Sequence, residues 1–196
     1  MKKSTLTIII IAAVIAIIAI WAVSGYNRLV VAQETVTTEW SNVESQYQRR
    51  ADLIPNLVST VKGYAAHESQ TLEAVVAARA KATQVTVDAD DLDEKSIARF
   101  QEAQGEVGSA IGRLLMVTEN YPDLKANQNF MDLQEQLEGT ENRIQVARKN
   151  FNSTARAYNT TIRRFPTNIL AGMFDFETVA YFKADEGAQN APKVEF

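Results

Sequence analysis

Apolar residues recur every three or four positions over most of this chain, which is the spacing of one face of an α-helix. Such faces run from 29 to about 81, from about 96 to 119 and from about 124 to 165. Along the third, an apolar residue stands at every seventh position: Phe130, Leu137, Ile144, Phe151, Tyr158 and Phe165. The pattern predicts an all-α fold, an elongated antiparallel bundle of three to four long helices.

The segments between these faces are predicted to be loops. Residues 82–96 crowd acidic side chains without the turn glycine that a calcium loop requires, so they predict a solvated loop. Its acids also favour the start of the following helix. Asn120 or Asp123 is expected to cap the third helix, and Pro166 to end it.

Glycines interrupt the second face at Gly105, Gly108 and Gly112. Each glycine costs a helix about 1 kcal/mol relative to alanine. Tolerance of three within two turns predicts that another backbone approaches closely there, and simple flexibility is the alternative.

A different pattern precedes the first face. Residues 6–23 contain only one polar residue, and 18 residues at ~1.5 Å each nearly cross a ~30 Å hydrocarbon core. We interpret this run, which includes Leu6, Ile11, Ile17 and Val23, as a transmembrane helix. A cleaved signal peptide is the alternative, but its apolar region is usually shorter.

Flanking charge favours one orientation of this helix. Lys2 and Lys3 precede the span, whereas Arg28 is balanced by Glu34 and Glu39 after it. The positive-inside rule then predicts a single-pass protein of the cell membrane, with a cytoplasmic N-terminus and an extracytoplasmic helical domain.

Composition argues against several classes of function. The chain of 196 residues has a net charge of −4, which gives no basis for binding nucleic acid. It has no cysteine, so thiol nucleophiles and Cys-x-x-Cys zinc sites are excluded. We predict three parts: a transmembrane anchor over 1–25, a helical bundle over 26–182, and a polar, disordered tail over 183–196.

The segment 46–68 places fixed charge beside an apolar stripe. Arg49, Arg50 and Asp52 are expected to meet acidic and basic residues of the third helix in an ionic layer that fixes helix register; these are Glu138, Glu141 and Arg143. Pro55 is either a kink in one long helix or the join between two. Asn142, Asn150, Asn152 and Asn159 predict amide hydrogen bonds between helices.

The aromatic segment 166–182 follows the third helix. Asn168 can cap a short helix there, whose apolar members are Ile169, Leu170 and Met173. The segment is expected to fold back onto the end of the bundle, or else to contact membrane or a partner.

The residues that could act in catalysis lack the partners that catalysis requires. His67 is the single histidine, and His67-Glu68 lacks the second histidine of a zinc protease motif. A carboxylate pair of Glu138 and Glu141 has no pocket indicated around it. We therefore expect no enzyme activity, no cofactor and no small-molecule substrate.

Several blocks of this sequence resemble the LemA family. They are Tyr26-Asn27-x-Leu29-Val30, Glu39-Trp40-x-x-Val43, Gln46 to Val58, Gly63-Tyr64-Ala65-x-His67-Glu68, Glu119 to Asn127, Leu137 to Ile144, Tyr158-Asn159 and Phe165-Pro166. The resemblance covers roughly residues 24–182. It implies a single-pass membrane protein with an elongated helical bundle and no established enzymatic activity. Genes of the family often lie near those of membrane metalloproteases and TPM-domain proteins, so the resemblance makes such proteins candidate partners. Some members of the family are associated with magnetosome membranes.

Three functions are compatible with these features. The first is a scaffold or adaptor anchored in the lipid bilayer, which binds a second copy of itself or a membrane-protein partner. The second is a signalling or stress-sensing module that relays a conformational change through Pro55 and Gly63. The third is a hydrolase that uses His67 or the glutamates.

Overall fold

The computed structural model describes residues 3–89 and 91–183, and the predicted all-α class is confirmed there without any strand. The described helices are α1 (Lys3–Lys62), α2 (Ser69–Gln84), α3 (Glu94–Thr118), α4 (Pro122–Lys125), α5 (Gln128–Arg163) and α6 (Thr167–Met173). Nearly all of the predicted tail, 184–196, lies outside the described residues.

Helix α1 is one continuous helix of 60 residues that contains both the apolar run and the first bundle helix. Pro55 lies inside it on the exposed side, so the helix does not end there. The chain turns instead at residues 63–68, where Gly63 and Tyr64 donate to carbonyls of the last turn. The single predicted face over 29–81 therefore belongs to two helices, because Gly63 ends the first.

The bundle core has two ends. Around Trp40 and Tyr47, α1 packs with α3, α5 and α6; around Ile54 and Leu57, it packs with α2, α3 and the start of α5. The first cluster adjoins the apolar run of α1, and we call it the span-proximal core. The second is the span-distal core. Arg50 lies on α1 between the two.

Trp40 is the centre of the span-proximal core and is 0% exposed. Its ring makes edge contacts with Phe100 of α3 and Phe151 of α5, at centroid distances of 5.2 and 5.5 Å. It also stacks on Phe182 at 5.9 Å. One side chain thus joins α1, α3, α5 and the C-terminal segment.

The predicted third helix is two helices in the structure. Asn127 caps α5 by accepting from the Phe130 amide at 3.1 Å. Helix α4 starts at Pro122, so the expectation that Asn120 or Asp123 caps the third helix is wrong. Five residues of the seven-residue repeat are buried as expected. The sixth, Phe165, is 76% exposed because α5 ends at Arg163.

The acidic loop between α2 and α3 is only partly solvated. Asp93 caps α3, since its carboxylate accepts from the Ser96 amide at 2.6 Å, and this agrees with the expectation that the acids of the loop favour the start of the helix. However, Val87 and Leu92 are buried in the core and hold this loop against the bundle.

Residues 174–183 follow α6 as an extended segment, which we call the C-terminal strap. Asn152 and Asn159 of α5 each hold it with paired bonds: Asn152 to the backbone N–H and C=O of Phe182, and Asn159 to those of Val179. The prediction of amide bonds between helices is therefore wrong at these residues. An extended backbone has no internal partners, so side-chain amides of α5 satisfy it.

Replacing Asn159 with alanine is expected to loosen the strap, with a cost of about 1–3 kcal/mol for the buried groups left unpaired. Hydrogen exchange of the amides at 179–182 measures the effect, and Asn150→Ala, which alters an exposed amide of the same helix, is the control. Equal protection in both variants would show that the strap is held by its aromatic side chains alone.

Candidate interaction site

Arg50 connects three helices from a position that is 4% exposed. Its Nη1 donates to Glu141 Oε1 of α5 at 2.7 Å. Its Nη2 donates to both the backbone carbonyl and Oε1 of Gln104 on α3, at 2.8 and 2.7 Å. The guanidinium also lies over the Tyr47 ring, 5.0 Å from its centroid.

The other members of the predicted ionic layer lie elsewhere. Arg49 and Arg143 are exposed, and so are Asp52 and Glu138, which accept from Gln48 and Gln134 on their own helices. The structure therefore brings together Arg50 and Glu141 but not the remaining four residues. Helical phase explains this, because neighbours such as Arg49 and Arg50 point about 100° apart.

Gln104 is the residue of this site that sequence reasoning missed. It stands within the apolar face of α3, between Phe100 and Val107. A polar residue within an apolar helix face needs a partner, and a buried arginine was already expected nearby. That combination is the signal that could have identified it.

A small cavity of about 150 Å³ adjoins Arg50 between α1, α2 and α3. Glu44 and Arg79 line it, and Arg79 Nε donates to the Ala51 carbonyl at 2.8 Å. Burial raises the pKa of Glu44, and the nearby Trp40 indole lowers that pKa to a smaller extent. The Nε1 of Trp40 has no acceptor in hydrogen-bonding geometry. The bond from Arg79 to Ala51 joins α2 to α1 beside this cavity.

A larger groove opens between α3 and α5 on the other side of Arg50. It has a volume of about 580 Å³, and we call it the α3–α5 groove; its lining is Gly108, Ile111, Gly112, Leu115, Gln134, Leu137, Glu138, Glu141 and Asn142. Its floor is apolar, and its α5 side carries two carboxylates. A helix is about 10 Å across, and a groove with these properties is a common docking place for one.

Gly108 and Gly112 of α3 line this groove, and none of the three glycines, Gly105 included, faces another backbone. A Cβ added at Gly105 or Gly112 would meet nothing within 4 Å, and one at Gly108 would meet only Arg50 Nη1, at 3.8 Å. The predicted close approach of a second helix is therefore wrong. The absence of side chains instead keeps the groove open.

Of the catalytic candidates, His67 lines neither the cavity nor the groove. His67 is exposed in the turn between α1 and α2. Within residues 3–89 and 91–183, no group of three or more His, Cys, Asp or Glu side chains could hold a metal ion. Glu138 and Glu141 share the groove, but Glu141 is paired with Arg50.

The apolar end of α1 is exposed throughout residues 6–21. Over the described residues, α1 is the helix long and apolar enough to cross a membrane, and none of its most apolar stretch is buried in the fold. Fold and site together define a class: all-α proteins in which a membrane-length helix continues into a bundle with an open lateral groove.

Within that class, the chain belongs to the LemA family, whose family model matches residues 39–196. It is 28% identical over 160 residues to Protein LemA of Metamycoplasma hominis, covering 82% of this chain and 69% of that protein. It is also 28% identical to Magnetosome protein MamQ 2 of Paramagnetospirillum magneticum, covering 91% of this chain and 71% of that protein. Magnetosome protein MamQ of Magnetospirillum gryphiswaldense is likewise 28% identical, over 80% and 64% of the two chains.

Proposed function

We propose that this protein is a membrane-anchored scaffold without catalytic activity. The observation that carries the proposal is the continuity of α1 from Lys3 to Lys62. Beyond Val23 the helix extends about 58 Å at ~1.5 Å per residue. Because no loop separates the apolar run from the bundle, the bundle is held at a fixed distance from the bilayer.

We assign the N-terminus to the cytoplasm and the bundle to the opposite side of the cell membrane. Lys2 and Lys3 on the short side, against Glu34 and Glu39 beyond the span, support this orientation. Anchoring by a single span also agrees with the membrane-length apolar run of α1.

The α3–α5 groove is the binding face of this scaffold. Its occupant is a helix of a membrane-protein partner, with an apolar stripe flanked by lysine or arginine. The apolar floor accounts for the stripe, and the carboxylates of Glu138 and Glu141 account for the basic residues. Glu138 is exposed and free of any basic partner in the described contacts, so it is available to the incoming helix.

Photocrosslinking of the full-length chain in its native membrane tests this assignment. A photoreactive residue at Gly112 points into open space and is expected to give one adduct with a membrane protein. The same residue at Val76, an exposed position of α2 away from the groove, is expected to give none. Absence of an adduct at Gly112 would contradict a docking role for the groove.

Charge reversal distinguishes specific docking from proximity. Glu138→Lys is expected to reduce the adduct about tenfold, which corresponds to ~1.4 kcal/mol. Glu135→Lys changes an exposed glutamate of α5 outside the groove lining and should leave the adduct unchanged. An adduct with twice the mass of this chain would identify a second copy as the occupant instead.

A further inference from the structure

Helix α6 lies against α1 at the point where the apolar span ends. Leu170 of α6 is buried, and a Cβ built on Gly25 would come within 2.5 Å of its Cδ1. Gly25 is two residues beyond Val23, or about 3 Å along the helix axis. Ala22, in the last turn of the span, packs against the same core. The glycine thus fixes α6 at the level of the end of the span.

The outward side of this region carries large apolar residues that the described fold leaves half or more exposed. We call Phe165, Ile169, Met173 and Phe174 the apolar foot, and each is at least half exposed. Ile169 and Met173 are four residues apart and share a face of α6. Phe174 is oriented by an edge contact with Tyr26 of α1, at a centroid distance of 4.8 Å.

Charged residues flank the foot along the chain. Arg28, Arg163 and Arg164 are exposed at this end of the bundle, together with Asp175 and Glu177. Aromatic and apolar residues bordered by arginine at the end of a span are typical of the interface between hydrocarbon and headgroups. In water, the same exposed surface would be unfavourable by ~25 cal/mol for each Å² left uncovered.

We propose that the apolar foot inserts into the interfacial layer of the same bilayer that α1 spans. Continuity with the span is the reason for assigning lipid as the occupant, since α6 is packed on the two turns where α1 leaves the hydrocarbon. The bundle then has two attachments to the membrane, the span and the foot. Together they fix its tilt, which a single helix would leave free. The inference rests on insertion of α1 and is independent of the α3–α5 groove.

Single-cysteine labelling tests the foot directly because the chain has no cysteine of its own. Met173→Cys, Met116→Cys and Ile17→Cys are each labelled with an environment-sensitive fluorophore in the full-length chain, reconstituted into vesicles of phosphatidylcholine and phosphatidylglycerol. Met116 is a matched control, because it is 66% exposed against 68% for Met173 but belongs to the span-distal end of α3. Ile17 reports insertion of the span.

The label at Met173 is expected to lose most of its emission to a lipid-borne nitroxide and to resist quenching by aqueous iodide. The label at Met116 should behave in the opposite way. Ile169→Glu in the Met173→Cys background should restore iodide quenching, and Val146→Glu, at an exposed position of α5, should not.

Equal quenching at Met173 and Met116 would overturn the proposal. So would a Met173 label protected from both quenchers, since a protein surface would then cover the foot. An Ile17 label that the nitroxide fails to quench would overturn the anchor and the foot together, whereas failure at Met173 alone would leave the anchored scaffold intact.

Discussion

Replacing Arg50 with methionine is expected to lower the free energy of unfolding by about 3 kcal/mol. The guanidinium supplies every bond that joins α1 to Gln104 of α3 and to Glu141 of α5 at this level. Methionine fills part of the volume but donates nothing, so the partly buried side-chain and backbone oxygens of Gln104 lose their donor. Glu141 is 45% exposed and can be rehydrated, which keeps the effect near the lower end of the ~3–5 kcal/mol range for broken buried pairs.

Urea unfolding of the full-length chain in detergent, followed by circular dichroism, measures this change. Arg49→Met is the matched control, since it removes the same charge from an exposed neighbour, and surface charges contribute only ~0–1 kcal/mol. A double-mutant cycle with Glu141→Gln separates the ion pair from the bonds to Gln104. An unfolding midpoint for Arg50→Met equal to that of Arg49→Met would show that the buried guanidinium contributes no net stability.

A role for Arg50 in register follows from its position between the two cores. The apolar faces of α1 and α5 match over many turns, and a shifted alignment would still bury apolar residues. Only one alignment places the guanidinium against both Gln104 and Glu141. A single polar contact within an apolar seam can select one register in this way. We therefore propose that Arg50 specifies alignment as well as stability.

Much of the fold could be predicted from apolar spacing. A residue buried every third or fourth position is a direct consequence of helix geometry, and five members of the repeat on α5 are buried as expected. The turn at 63–68 was missed because the apolar spacing continues across it, from Val61 to Leu72. Periodicity reports the face of a helix and not its end, whereas Gly63, a poor helix former directly after Lys62, marks the end in the sequence.

The site was harder to predict because it depends on contacts distant in sequence. Arg50 and Glu141 are 91 positions apart, and helix phase left several equivalent carboxylates as candidates. The glycines of α3 show the same limit. Their clustering indicated that something unusual occurs there, but an open groove and a close backbone contact both require small residues. Only the positions of α3 and α5 distinguish the two.

Replacing Trp40 with alanine is expected to be the most destabilising single change described for this fold, at about 3–5 kcal/mol. The indole is fully buried, and its loss removes contacts with Phe100, Phe151 and Phe182 at once. Because Phe182 belongs to the C-terminal strap, the cavity should also loosen the strap from α5.

Denaturant unfolding of the full-length chain, with hydrogen exchange at 179–182, tests both parts of this prediction. Trp40→Phe keeps an aromatic ring in place and should recover most of the stability and of the strap protection. Trp21→Ala, in the exposed apolar run of α1, controls for loss of a tryptophan as such. If Trp40→Ala and Trp21→Ala unfolded at the same denaturant concentration, the aromatic cluster could not be what joins the strap to the helices, and the paired bonds of Asn152 and Asn159 would have to hold it.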